Sequence, residues 1–149
     1  MIVASPSLFG YRNNFDFSLH TGDKQLDLAF HRRGSYEDLI SLPHGCSLGT
    51  EAMNAAALEL VKRAHALKLG GYIETLTVRQ SASTGHILGH IALHQVPKRD
   101  LSGLATAGLA GVVVSRVRRR VEHELVWSHG GTQLRDTLGG VELSYPYDA

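Results

Sequence analysis

The sequence predicts an α+β fold in which one long central helix is wrapped by a curved antiparallel sheet. Three observations carry that expectation. First, Thr50 to Leu69 is built of strong helix formers, and Met53, Ala57, Leu60, Ala64 and Leu67 recur at heptad-like intervals. Leu58, Val61 and Leu69 widen the apolar arc, leaving mainly Glu51, Glu59, Lys62 and Arg63 as its polar edge. Such a helix needs protein on more than one side. Second, the segments before and after it alternate apolar and polar residues with period two. Third, Val112 to Trp127 keeps that alternation beyond the usual strand of about 5–6 residues, and long strands suit a sheet that curls.

Taken in order, Phe15 to Leu19 and Gln25 to Phe30 alternate about a Thr21-Gly22-Asp23 turn and predict an N-terminal hairpin. His31-Arg32-Arg33-Gly34 leaves the sheet. Ser35 to Leu42 predicts a short helical turn capped by Ser35, with Asp38 three residues on. The central helix starts at Thr50, an N-cap residue, with Glu51 in the first turn where the helix dipole favours a carboxylate. Gly70-Gly71 offers its left-handed stop. Tyr72 to Gln80 is rich in β-branched residues and predicts a strand; Ser81 to Gly85 is a loop. His86 to Val96 alternates Ile87, Gly89, Ile91 and Leu93 against His86, His90 and His94 until Pro97 ends it. Leu101 to Gly111 is a small-residue stretch, either short helix or loop. Val112 to Trp127 is expected as one long, bent strand, with Arg116, Arg118, Arg120, Glu122 and Glu124 along its charged row. After a turn over Ser128 to Thr132, Leu134 to Leu138 either pairs with Val141 to Tyr145 or continues through Gly139-Gly140 as a kinked strand. No repeat of 20–50 residues is visible.

Length and composition narrow the class. A chain of 149 residues with 43% apolar residues predicts one folded domain spanning 1–149. The net charge of +1 argues against a nucleic-acid partner or a charged membrane surface. One cysteine excludes an intrachain disulfide and a multi-cysteine zinc site. No apolar run approaches the roughly 20 residues of a membrane span, and the N-terminus lacks the basic start of a secretory signal. A cytoplasmic location follows by default.

The element order resembles the hot-dog fold, in which an antiparallel sheet encloses one helix. Ser47-Leu48-Gly49-Thr50-Glu51-Ala52-Met53-Asn54-Ala55-Ala56-Ala57 resembles the helix start of 3-hydroxyacyl-carrier-protein dehydratases, whose acidic residue falls on Glu51. His31-Arg32-Arg33-Gly34 is similar to that family's H-x-x-G, placing a catalytic base on His31. His44-Gly45-Cys46 resembles the H-G-G that opens the same helix in hot-dog acyl-CoA thioesterases. The resemblance implies an enzyme of fatty-acid or polyketide metabolism acting on acyl-CoA or acyl-carrier-protein thioesters, without cofactor or metal, as a homodimer or higher oligomer. In the dehydratase reading His31 or His44 is the base and Glu51 the acid. In the thioesterase reading Glu51 activates water or attacks directly. Amides from Gly45 through Cys46 to Gly49 polarise the carbonyl in both.

Plainer readings stand beside these. Glu51 is what an ordinary first helical turn prefers. Cys46 lies near a positive helix end, where a thiol becomes nucleophilic, yet a lone cysteine is more often a small buried hydrophobe. His86, His90 and His94 share a strand face, where residues four apart lie about 13 Å apart, too far for one ion. The Arg116-Val117-Arg118-Arg119-Arg120 cluster could hold phosphates, of nucleic acid or of a coenzyme A or carrier-protein arm, through Arg116 and Arg118, or form a solvated face offset by Glu122 and Glu124. A β-rich, self-assembling structural subunit is the non-enzymatic alternative.

Overall fold

A computed structural model describes residues 7–22, 25–118 and 122–148. The N-terminal hairpin forms where the alternation places it. β1 (Asn14–Thr21) pairs with β2 (Leu26–His31), Ser18 opposite Ala29. The Ser35 hydroxyl accepts the amides of Glu37 and Asp38 at 3.2 and 3.0 Å, so the expected helical turn is a side-chain-closed turn into a short strand, β3 (Leu39–Ser41). Then come α1 (Glu51–Ala66), β4 (Ile73–Gln80), β5 (Ile87–Leu93), a 3₁₀ turn at Ser102–Leu104, β6 (Gly111–Arg118), β7 (Glu122–Gly130), β8 (Gln133–Leu138) and β9 (Val141–Pro146). One seven-stranded sheet has the order β3-β2-β1-β4-β5-β6-β7, and β8 and β9 make a separate ribbon. Within the sheet β5 and β6 run parallel; every other pair is antiparallel.

The helix begins as its sequence demands. Thr50 is the N-cap and its hydroxyl accepts the Met53 amide at 3.1 Å. The stop is different. Lys68 adopts the left-handed conformation (φ 54°) expected of a glycine. Its amide bonds His65 O and the Leu69 amide bonds Ala64 O, a Schellman closure that buries Leu69. The buried stripe is Met53, Ala57, Leu60, Val61 and Ala64. Gly89 of β5 lies beneath it, and a Cβ there would collide with Leu60.

The architecture overturns the hot-dog expectation. The helix rests on one face of the sheet and is not enclosed: Ala52, Ala55, Lys62, His65 and Ala66 are exposed. Alanines made the sequence look apolar all round, but alanine is the best helix former and tolerates water. A parallel β5–β6 pair in a mixed sheet is equally at odds with a wrapped antiparallel one.

The long strand is also corrected. Val112 to Trp127 is a hairpin, β6 and β7, in which Arg116 faces Glu124 and Arg118 faces Glu122. Its charged row is two strands laid against each other, reversing between Arg118 and Glu122; Arg119, Arg120 and Val121 lie outside the described residues. A bulge shifts the register between Val114 and Ser115. It breaks the parity of β7, so Trp127 packs into the helix-side core although His123 shares a face with Ser115.

Candidate functional site

The sheet has two unlike faces. Toward the helix point Phe15, Phe17, Leu28, Leu76, Val78, Ile91, Val112 and Val114. Toward the other point Asn14 and Asp16 of β1, Thr75, Thr77 and Arg79 of β4, His90 of β5, Ser115 of β6 and His123 of β7; with Tyr147 and Asp148, all but Ser115 line a cleft of about 220 Å³. The β8–β9 ribbon is fixed over part of this face. Leu134 packs on Leu88 and Val113. The Asp136 carboxylate accepts the amides of Ala82 and Ser83, each at 2.9 Å. The Ser83 hydroxyl contact, then the Ala82 amide, holds the acid well below the carboxylate range, at about 2.

Beneath the floor of the cleft Ser115 bridges two imidazoles. His90 Nε2 is 2.7 Å and His123 Nδ1 2.9 Å from its Oγ. The hydroxyl has one proton, so at least one ring nitrogen donates to it. Burial lowers the His90 pKa to about 4, assisted by the charge of His123. Tyr147 packs edge-on against His90, ring centroids 5.1 Å apart. Asp16 accepts the Thr77 hydroxyl at 2.7 Å, and Arg79 Nε reaches the Asn14 side-chain oxygen at 3.4 Å. Asn14 and Arg79 also line a second cleft of about 310 Å³, bordered by Gln80, Asp136 and Tyr145. Ser115 is fully buried, so it braces the rings and no ligand reaches it.

The helix start is a different kind of place. Asn54 fills the loop before it, taking the Cys46 amide at 2.8 Å and returning its own N–H to Cys46 O at 3.0 Å. Gly45 (φ 80°) passes so close that a Cβ would collide with Asn54. The Gly45 and Gly49 amides bond Leu42 O and Cys46 O, and residues 10–12 run over the loop through bonds to Ser47 O and Leu48 O. Thus three of the amides expected to polarise a carbonyl, those of Gly45, Cys46 and Gly49, are consumed within the protein. Glu51 and His44 are exposed beside that loop, and Cys46 is half-buried against the core.

The other expected residues are elsewhere. Phe30 stacks on Phe17 in the helix-side core, so the next residue, His31, emerges on the opposite face and contacts Ser18 at 2.9 Å. Arg116 pairs with Leu93, at the end of the sheet where β4 begins, whereas Thr50 bonds Gln80 at the end of β4. Arg118 makes an exposed ion pair with Glu124 at 2.8 Å. Glu51, His31 and the arginines are therefore not gathered around one ligand. Sequence reasoning passed over Asn14, Asp16, Arg79, Ser115, His123 and Tyr147 as functional residues. Their one shared signal was parity: each strand residue among them lies on the polar side of its strand.

No protein-family model and no curated protein matches the chain. Among solved structures, it is similar to the tRNA (uracil-54, C5)-methyltransferase of Pyrococcus abyssi, determined in complex with S-adenosyl-L-homocysteine. The TM-score is 0.74 at 16% identity, over 97% of this chain and 37% of that one. The shared property is the fold, and the chain spans little more than a third of that enzyme's length. This fold takes the place of the expected hot-dog fold, and the acyl-thioester dehydratase and thioesterase readings fall with it. The acyl carrier partner and the homo-oligomer lose their basis too. No helix among the described residues is long and apolar enough to cross a membrane.

Proposed function

We propose that this chain is the substrate-handling module of an RNA-methylating enzyme, and that the polar face of its sheet meets the RNA. The observation that carries this reading is the likeness, over 97% of the chain, to part of a tRNA methyltransferase. The methyl donor does not fit the residues present. Nucleotide-type cofactors lie where parallel strands lead into helix N-termini. Here the parallel β5–β6 pair is joined through a 3₁₀ turn, and the amides of Gly45, Cys46 and Gly49 before α1 are used internally. No transfer step is therefore assigned to this chain; its work is binding and orientation.

Open β-sheet faces suit unpaired RNA because strand side chains present rings and hydrogen-bonding groups in rows. Asp16 and His20 of β1, His31 of β2 and Thr77 of β4 share this face, Asp16 directly opposite Thr77, with exposed Arg32 and Arg33 at the end of β2 for phosphates. The net charge of +1, which argued against a nucleic-acid partner, speaks only against a broad electrostatic surface; local contacts from Arg32 and Arg33 do not depend on it. A cytoplasmic location, expected from the sequence, suits work on RNA. Fluorescence anisotropy with a labelled tRNA transcript tests the reading. Binding in the range of about 10⁻⁴–10⁻⁶ M, weakened by salt and by replacing Arg32 and Arg33 with alanine, is expected, with no calorimetric response to S-adenosyl-L-homocysteine. Absence of RNA binding even at low salt would overturn it.

A further inference from the structure

We infer that the cleft on the polar face is a receptor for one unpaired nucleobase, bonded at its edge by His123, Asp16 and Asn14 and faced by the Tyr147 ring. This rests on the chain handling RNA. Size points the same way. At about 220 Å³ the cleft falls below the ~300–1,000 Å³ of drug-sized ligand sites, so it suits a single ring system and not a whole nucleotide cofactor.

The two carboxylates weigh against the commonest RNA contact. Asp16 and Asp148 line the cleft against one guanidinium, Arg79. His90 adds no positive charge near neutral pH. A phosphate is disfavoured there, whereas a neutral base gains from an acceptor and a donor side by side. Thr77 occupies only Oδ1 of Asp16, leaving the other oxygen as an acceptor.

The buried groups explain how His123 is aimed. Its Nδ1 is held by Ser115, itself held by His90, and among the described residues its Nε2 has no hydrogen-bond partner. Ser115 and His90 are thus positioning residues: they fix one ring nitrogen so that the other addresses the cleft.

The test is a titration of the intact chain with UMP, CMP, AMP, GMP and ribose 5-phosphate, following the histidine and tyrosine ring signals by ¹H–¹³C NMR. At least one nucleotide is expected to move His123 and Tyr147 while ribose 5-phosphate leaves them in place. Equal shifts with ribose 5-phosphate would make it a phosphate site and overturn the inference. If all nucleotides are silent while the tRNA transcript still binds, the base receptor is wrong and the RNA-handling reading survives; if the transcript also fails, both fall. His123→Ala is expected to weaken the nucleotide about five-fold or more, as loss of one base contact does. Ser115→Ala is expected to change the His123 ring-carbon shifts that report its tautomer and to weaken binding. An unchanged His123 spectrum would refute the positioning role. If Ser115→Ala does not fold, His123→Ala still decides the receptor.

Discussion

The two faces of the seven-stranded sheet are written by alternate residues of the same strands. On β1, Phe15 and Phe17 enter a core roofed by α1, while Asn14 and Asp16 line the opposite cleft. On β5, Ile91 is sealed under the helix side, and its neighbour His90 is buried as a bridged imidazole. One face therefore holds the fold together by apolar area. The other stores polar groups that are satisfied by one another where buried and open to solvent at the rim. Mutations should separate the two, with stability following the helix face and ligand binding the polar one.

The largest effect is expected from Leu60→Ala, fully buried between α1 and Gly89. It should cost about 2–5 kcal/mol in urea unfolding and leave the RNA affinity of the folded fraction unchanged. Lost affinity at full folding would break the separation.

Next is pH. The His90 pKa is about 4 in the native state and 6.5 when free, so above pH 6.5 both states are neutral and nothing is lost. As pH falls from 6.5 toward 4 the unfolded chain binds a proton that the native site refuses. Stability should drop across that window by up to about 3 kcal/mol, and level off below it. His90→Gln should flatten this limb in a pH series of denaturation midpoints; an unaltered limb would put the titration elsewhere. Asp136 acts at lower pH. Its depressed pKa gives stability present above the free carboxylate range and lost as pH falls toward 2.

Asn54→Ala should remove both bonds to Cys46 and cost about 1–3 kcal/mol. It sharpens the contrast, because RNA binding should not change although the helix start loosens. Smallest is Arg118→Ala, whose pair with Glu124 is half exposed. A change within about 0.5 kcal/mol is expected, and a larger one would show that the hairpin depends on its charge row.

Much of this was legible in the sequence. The N-cap at Thr50, the Met53–Ala64 stripe, the first hairpin and the strands over β4 and β5 follow from local pattern. What failed was local signal that tertiary structure reinterprets. Exposed Ala52, Ala55 and Ala66 counted as apolar and conjured a wrapped helix. The β6–β7 reversal carries no glycine, proline, asparagine or aspartate; only the mirror of Arg116 and Arg118 with Glu124 and Glu122 betrays it. The bulge erased the parity that would have separated His123 from Trp127. The candidate site was least legible because its members come from β1, β4, β5, β6, β7 and the segment after β9. Strand order brings them together, and period two alone does not give strand order.

The most direct test is an amide NMR titration of the chain with the tRNA transcript. Perturbations concentrated at Asn14, Asp16, Thr77, His123 and Tyr147 are expected, with α1 and residues 44–51 silent. Perturbations centred on Gly45 to Glu51, with the polar face untouched, would contradict it.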